Sequence, residues 1–99
     1  MKLKIGKRTY SVLHVDTLTP TLIRGRITYD KRTIEIAQRS GRRPAVRSEA
    51  GKHHTMWHEA VHGMLYELNS NKYRDEAFVD KLATMIISIN KQLADDQRT

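Results

Sequence analysis

Hydrophobic residues in the first third of the chain alternate with polar ones at a period of two. Leu3 and Ile5 lead into Gly6-Lys7, and Tyr10, Val12, Leu13 and Val15 follow. Lys2–Ile5 and Thr9–Val15 therefore read as strands joined by a tight turn. Thr17–Pro20 is a polar break. Leu22–Tyr29 and Thr33–Ala37 then read as a hairpin, with Asp30-Lys31-Arg32 as its turn and Ile34 and Ile36 alternating with Glu35. Ser40–Pro44 (Ser-Gly-Arg-Arg-Pro) marks a loop whose character persists to about Gly51.

The period then lengthens to that of a helix. Trp57, Val61, Met64, Leu65 and Leu68 form an apolar stripe within Lys52–Leu68, a stretch free of Pro; Ser48 offers an earlier cap, and Asn69-Ser70-Asn71 ends the segment. A second helix is predicted to open near Asp75 as N-cap and to run to about Ala94, with Phe78, Leu82, Ile86, Ile89 and Leu93 facing the core. The tail Asp95–Thr99 is expected to fray. Strands followed by two helices predict an α+β fold, a small antiparallel sheet packed on two helices, in one domain over residues 1–99.

Composition narrows the class. Ninety-nine residues, 38% hydrophobic and 29% charged, with a mean hydropathy of −0.64, describe a small, charge-rich soluble domain with a modest core. Cys is absent, so a disulfide scaffold and a thiolate metal site are both excluded, and any metal must be held by His and carboxylates. The first residues carry no apolar leader, and the longest aliphatic run, Met85-Ile86-Ile87, falls far short of the ~20 residues of a membrane span. A cytoplasmic protein without a membrane partner is expected. The net charge of +7 is uneven: residues 1–50 hold twelve Lys/Arg against four Asp/Glu, and residues 51–99 hold six against seven. The basic half is either a solvated face or a surface for an acidic partner or nucleic acid. No aromatic-rich RNA-binding pattern and no helix-turn-helix pattern accompanies it, which favours the solvated face.

The chemistry lies on the first helix. His58-Glu59-Ala60-Val61-His62 is an HExxH motif. Residues four apart share a helix face, so His58 and His62 can direct both imidazoles at one zinc ion. Glu59 is offset by about 100° and would reach past the metal to a water in the open coordination position, accepting its proton. A third protein ligand must come from another element. Glu76 and Asp80, four apart at the start of the second helix, are the candidates; the plainer reading makes both surface acids that complement the helix dipole. His54, four before His58, is either an exposed first-turn histidine or a further group at the site. Tyr66 and Tyr73 could supply an oxyanion donor, although packed tyrosines with satisfied hydroxyls are commoner. His14 lies in a strand without evident chemistry, and Met56, Met64 and Met85 sit at core spacing.

Ile34-Glu35-Ile36, a loop, Thr55 to Gly63 around the HExxH motif, and Asp75 to Ala83 together resemble the small HExxH proteins common in bacteriophage genomes. More distantly they are similar to ImmA/IrrE-type minimal zinc metallopeptidases. The resemblance covers about residues 22–90. It implies a reduced zincin fold of the gluzincin type: His58, His62 and Glu76 on Zn²⁺, Glu59 as general base, and Ile34, Glu35 and Ile36 as a sheet edge that receives substrate backbone. The chain departs from the larger relatives in its connection, with only thirteen residues between His62 and Glu76. The expected function is a zinc-dependent metallopeptidase acting on a protein or peptide. The rivals are a zinc-stabilised, non-catalytic binding or regulatory protein, and a basic nucleic-acid-binding protein with a coincidental HExxH.

Overall fold

The computed structural model describes residues 1–96. Six strands precede two helices: β1 (Lys2–Ile5), β2 (Arg8–Val15), β3 (Gly25–Thr28), β4 (Thr33–Ala37), β5 (Arg39–Ser40), β6 (Ala45–Val46), α1 (Glu49–Glu67) and α2 (Glu76–Asp96). The α+β layout is as expected. The main sheet, however, is mixed rather than antiparallel. Its order is β1-β2-β4-β3, and β2 pairs with β4 in parallel, Val12 opposite Ile34 and His14 opposite Ile36. After β2 the chain crosses to the far edge, lays down β3, and returns through the Tyr29–Arg32 turn so that β4 enters between β2 and β3. Ile34, Ile36 and Ala37 of β4 are fully buried, so the most apolar strand takes a central place and Gly25-Arg26 is left on the edge.

This topology corrects one expectation. Ile34, Glu35 and Ile36 are not a free sheet edge, because β4 is hydrogen-bonded on both sides. The free edge on that side is β3.

The layers run sheet, α1, α2. One core cluster joins Ile5, Tyr10, Val12, Ile34 and Ile36 beneath α1; a second joins Val61 and Leu65 of α1 to Val79 and Ala83 of α2. Met64 packs against both clusters. Gly63 lets α1 lie close on the sheet: a Cβ there would come within 3.0 Å of the Ile5 Cδ1 and 3.5 Å of the Tyr10 ring. Two polar devices fasten the layers. Tyr10 donates to Glu67 Oε2 at 2.5 Å, and Arg32 Nε donates to the same oxygen at 3.1 Å. Arg47 donates to the carbonyls of Arg24, Ala37 and Gly51 and to Thr55 Oγ1, tying the β3 and β4 ends to the first turns of α1. Nothing in the sequence pattern separated this arginine from its basic neighbours.

Element ends follow local chemistry. Ser48 caps α1, its hydroxyl accepting from Gly51 N–H at 3.0 Å, so the helix starts three residues before Lys52. Asn69 closes it in the left-handed region at φ 58°. Asp75 Oδ1 accepts from Phe78 N–H at 3.0 Å and caps α2 as predicted. The predicted β3 shortens to Gly25–Thr28, and Leu18, within the supposed polar break, is buried. The loop over residues 38–51 contains the β5–β6 ribbon. Two apolar stripes are also corrected. Leu68 is exposed, and on α2 the buried positions are Val79 and Ala83, with Leu82 and Ile86 half-buried and Phe78, Ile89 and Leu93 exposed. Small side chains bring α2 onto α1 near its start; from Ser88 onward every described position of the helix is exposed. Asp95 and Asp96 are helical, and the remainder of the predicted frayed tail lies outside the described residues. Among the described residues no helix is long and apolar enough to cross a membrane.

Candidate metal centre

The side chains of His58, His62 and Glu76 converge. Four-residue spacing on α1 sets the two imidazoles 5.0 Å apart between ring centroids. The short connection after α1 brings the first turn of α2 over them. Glu76 Oε2 lies 2.8 Å from His58 Nε2 and Glu76 Oε1 lies 3.1 Å from His62 Nε2. One ligand atom from each residue lies within 4.8 Å of the others. Nitrogens at about 2.0–2.1 Å and a carboxylate oxygen at about 2.0–2.2 Å from a tetrahedral zinc would stand roughly 3.3 Å apart, near the two histidine–carboxylate distances.

Hydrogen bonding on the far side of the His62 ring selects its donor atom. His62 Nδ1 donates to the Tyr73 carbonyl at 2.5 Å, and a carbonyl can only accept. In the neutral ring Nε2 is then a bare acceptor, facing a carboxylate oxygen. His58 Nε2 is hydrogen-bonded with Glu76 Oε2 at 2.8 Å, and its Nδ1 stands 3.4 Å from Asp80 Oδ1. A single divalent cation among the two Nε2 atoms and Glu76 would draw on all three groups at once. The residues present thus fit a zinc ion by donor type, spacing and the outer hydrogen bonds that orient ligating histidines.

Glu59 points elsewhere. It is 7% exposed, beneath the edge strand, where a Cβ on Gly25 would run into Thr55 and come 3.0 Å from Glu59 Oε2. Gly25 thereby lets β3 pass close over this carboxyl. Burial pushes the Glu59 carboxyl up to about 7; the His62 ring opposes that rise and the Glu76 charge adds to it. Partial burial raises the Glu76 carboxyl, but the His58 hydrogen bond and the two imidazoles outweigh this and hold it below the ordinary value.

The group opens on a cleft of about 700 Å³ between β3 with its approach, Leu22–Arg24, and the α1–α2 pair. The remaining expected residues sort as follows. Asp80 is not in the group of three; it accepts from His54 Nε2 at 3.1 Å and orients His58. His54 lines the cleft through that contact. Tyr66 and Tyr73 do not line it. Their rings cluster with Tyr29, which stacks on Tyr66 at 4.6 Å, and Tyr73 contributes its carbonyl rather than its hydroxyl. Tyr29 does line the cleft, donates to the Tyr73 carbonyl at 3.3 Å, and has its hydroxyl pushed up to about 12 by burial and the Glu59 charge. Neither Tyr29 nor the Tyr73 carbonyl could be found by spacing, since one lies on the hairpin and the other is backbone. No protein-family model, curated protein or solved structure matches the chain.

Proposed function

We propose that the protein is a zinc-dependent peptidase of minimal gluzincin type, similar to the small HExxH proteins found in phages. The observation that carries this reading is the convergence of His58, His62 and Glu76, one ligand atom of each lying within 4.8 Å of the others, with His62 oriented from behind by the Tyr73 carbonyl. When held there, zinc supplies a Lewis acid that polarises a carbonyl and makes water more acidic.

The protein's own groups perform the rest. Glu59 is buried beside the group but outside it, on the wall shared with the edge strand, so its carboxylate is placed to take a proton on the cleft side and return it to a departing amine. Its burial, by raising its proton affinity, suits both transfers. Ala37 N–H donates to Arg24 O at 2.9 Å, and with Arg26 opposite Glu35 this makes 24/37 and 26/35 the hydrogen-bonded pairs of the β3–β4 ladder. Gly25 and Ile27 then present N–H and C=O to the open edge, where an extended peptide can add as a strand across the cleft.

The test is Glu59→Gln in protein freed of other proteases. Loss of about 10²–10⁴-fold in peptide hydrolysis with zinc content unchanged is the expected result. Hydrolysis undiminished in that variant would remove Glu59 from the chemistry, and unaltered binding behaviour without any wild-type hydrolysis would favour the non-catalytic zinc module.

A further inference from the structure

Three arginines line the cleft: Arg24 and Arg26 on either side of Gly25, and Arg74 on the opposite wall just ahead of α2. Arg26 donates from Nε and Nη2 to Glu35 Oε1 at 3.1 and 3.0 Å. Arg24 and Arg74 are exposed, and among the described residues neither has an acidic side chain within ion-pair distance; Arg74 lies 5.1 Å over the Tyr73 ring. Two acids of the cleft, Glu76 and Asp80, are exposed but engaged by histidines: Glu76 by His58 and His62, Asp80 by His54 and His58. Among the described residues, Arg24 and Arg74 are therefore the charges of the cleft that a ligand meets without an ion-pair partner.

The edge geometry gives this charge a register. A Cβ on Gly25 would point at Thr55 and Glu59, so by alternation the side chains of Arg24 and Arg26 lie on the outer face of the sheet. In a strand added to β3, the residues opposite Arg24 and Arg26 share that face, with Cβ atoms about 4.5–5.5 Å from theirs. The residue between them points inward to α1 and the histidines. We infer that the open β3 edge beside the cleft selects an extended acidic segment, with carboxylates two residues apart opposite Arg24 and Arg26 and the approach steered by Arg74. This rests on the peptidase reading above and names its substrate class. A peptide suits the site better than a nucleic acid: the open edge offers alternating N–H and C=O, and the tyrosines near the cleft are packed on one another rather than presented as stacking surfaces.

The probes are three blocked hexapeptides identical except at two positions two residues apart, which carry Glu, Gln or Lys. Binding is measured in zinc-containing buffer on the Glu59→Gln variant, so that turnover is not required. The Glu peptide should bind about tenfold tighter than the Gln peptide at low salt, with the Lys peptide weakest and the gap closing at high salt. Arg24→Glu with Arg74→Glu, at surface positions that leave the Arg26–Glu35 pair intact, should reverse the order, while Arg24→Lys with Arg74→Lys retains it. Equal binding of the three peptides, no binding of any, or an order unchanged by the charge reversal overturns the inference. So does a single-stranded oligonucleotide that outcompetes the Glu peptide. Wild-type cleavage is read separately: cleavage without a Glu preference defeats only this inference, whereas a Glu preference without cleavage defeats the peptidase reading and leaves the acidic-segment site standing.

Discussion

Two polar clusters tie α1 to its neighbours, and they differ in one respect. At the C-terminal end, Tyr10 and Arg32 both donate to the Glu67 carboxylate, so donors meet an acceptor and the cluster is complete. One and a half turns earlier, His62 Nδ1 is hydrogen-bonded with the Tyr73 carbonyl while its Nε2 faces Glu76, and His58 stands between two carboxylates. The first cluster is a fastening. The second gathers two imidazoles around an exposed carboxylate whose oxygens lie 2.8 and 3.1 Å from their Nε2 atoms, a donor set that a single cation can join. What separates the two is that the first includes an arginine of its own, whereas the second is built of imidazoles and carboxylates.

The largest expected effect breaks the second cluster. His62→Ala removes one ligand and should abolish stoichiometric zinc binding, seen by titration calorimetry. It should also remove the zinc-dependent rise in melting temperature, which at a hundredfold excess over Kd corresponds to about 2.7 kcal/mol. Tyr10→Phe breaks the first cluster instead. It should lower stability by about 1–2 kcal/mol in denaturant melts, equally with and without zinc. Asp80→Asn sharpens the contrast: with the His58 orienting group weakened but the ligands kept, zinc affinity should fall about tenfold while zinc-free stability hardly moves.

The smallest effect is in pH. The Tyr10 hydrogen bond, with Arg32 adding to it, holds the Glu67 carboxyl below its ordinary value. Its stabilising share is thus fully present above the ordinary carboxylate range and is lost as pH falls through the depressed value, because the unfolded chain takes up the proton first. Glu67→Gln should flatten the acid side of the stability profile measured on zinc-free protein; a profile of unchanged slope would show that this carboxylate is not held as described.

Much of the site is legible in the sequence because it is local. His58 and His62 are brought together by helical spacing alone, and Glu76 follows from a short connection and an Asp75 cap that fix where α2 begins. What spacing cannot give is the partner from a distant strand. Alternation marks Ile34 and Ile36 as buried but does not say that β4 has a neighbour on each side, so the free edge falls to β3 instead. The Tyr73 carbonyl, which sets the tautomer of His62, has no side-chain signature. Gly25 is needed for what passes beneath it, and Tyr29 for a contact 44 residues away. On α2 the error runs the other way: Ile89 and Leu93 keep the apolar period although nothing among the described residues covers them, since periodicity records a face and not its burial.

His58, His62 and Glu76 are proposed to form a zinc site. The most direct measurement is elemental analysis of protein purified without a histidine tag, beside His58→Ala, Glu76→Ala and Tyr10→Phe. About one zinc per chain is expected in the parent and in Tyr10→Phe, with loss of that zinc in the other two. Zinc-free protein that stays zinc-free after the metal is restored would contradict it.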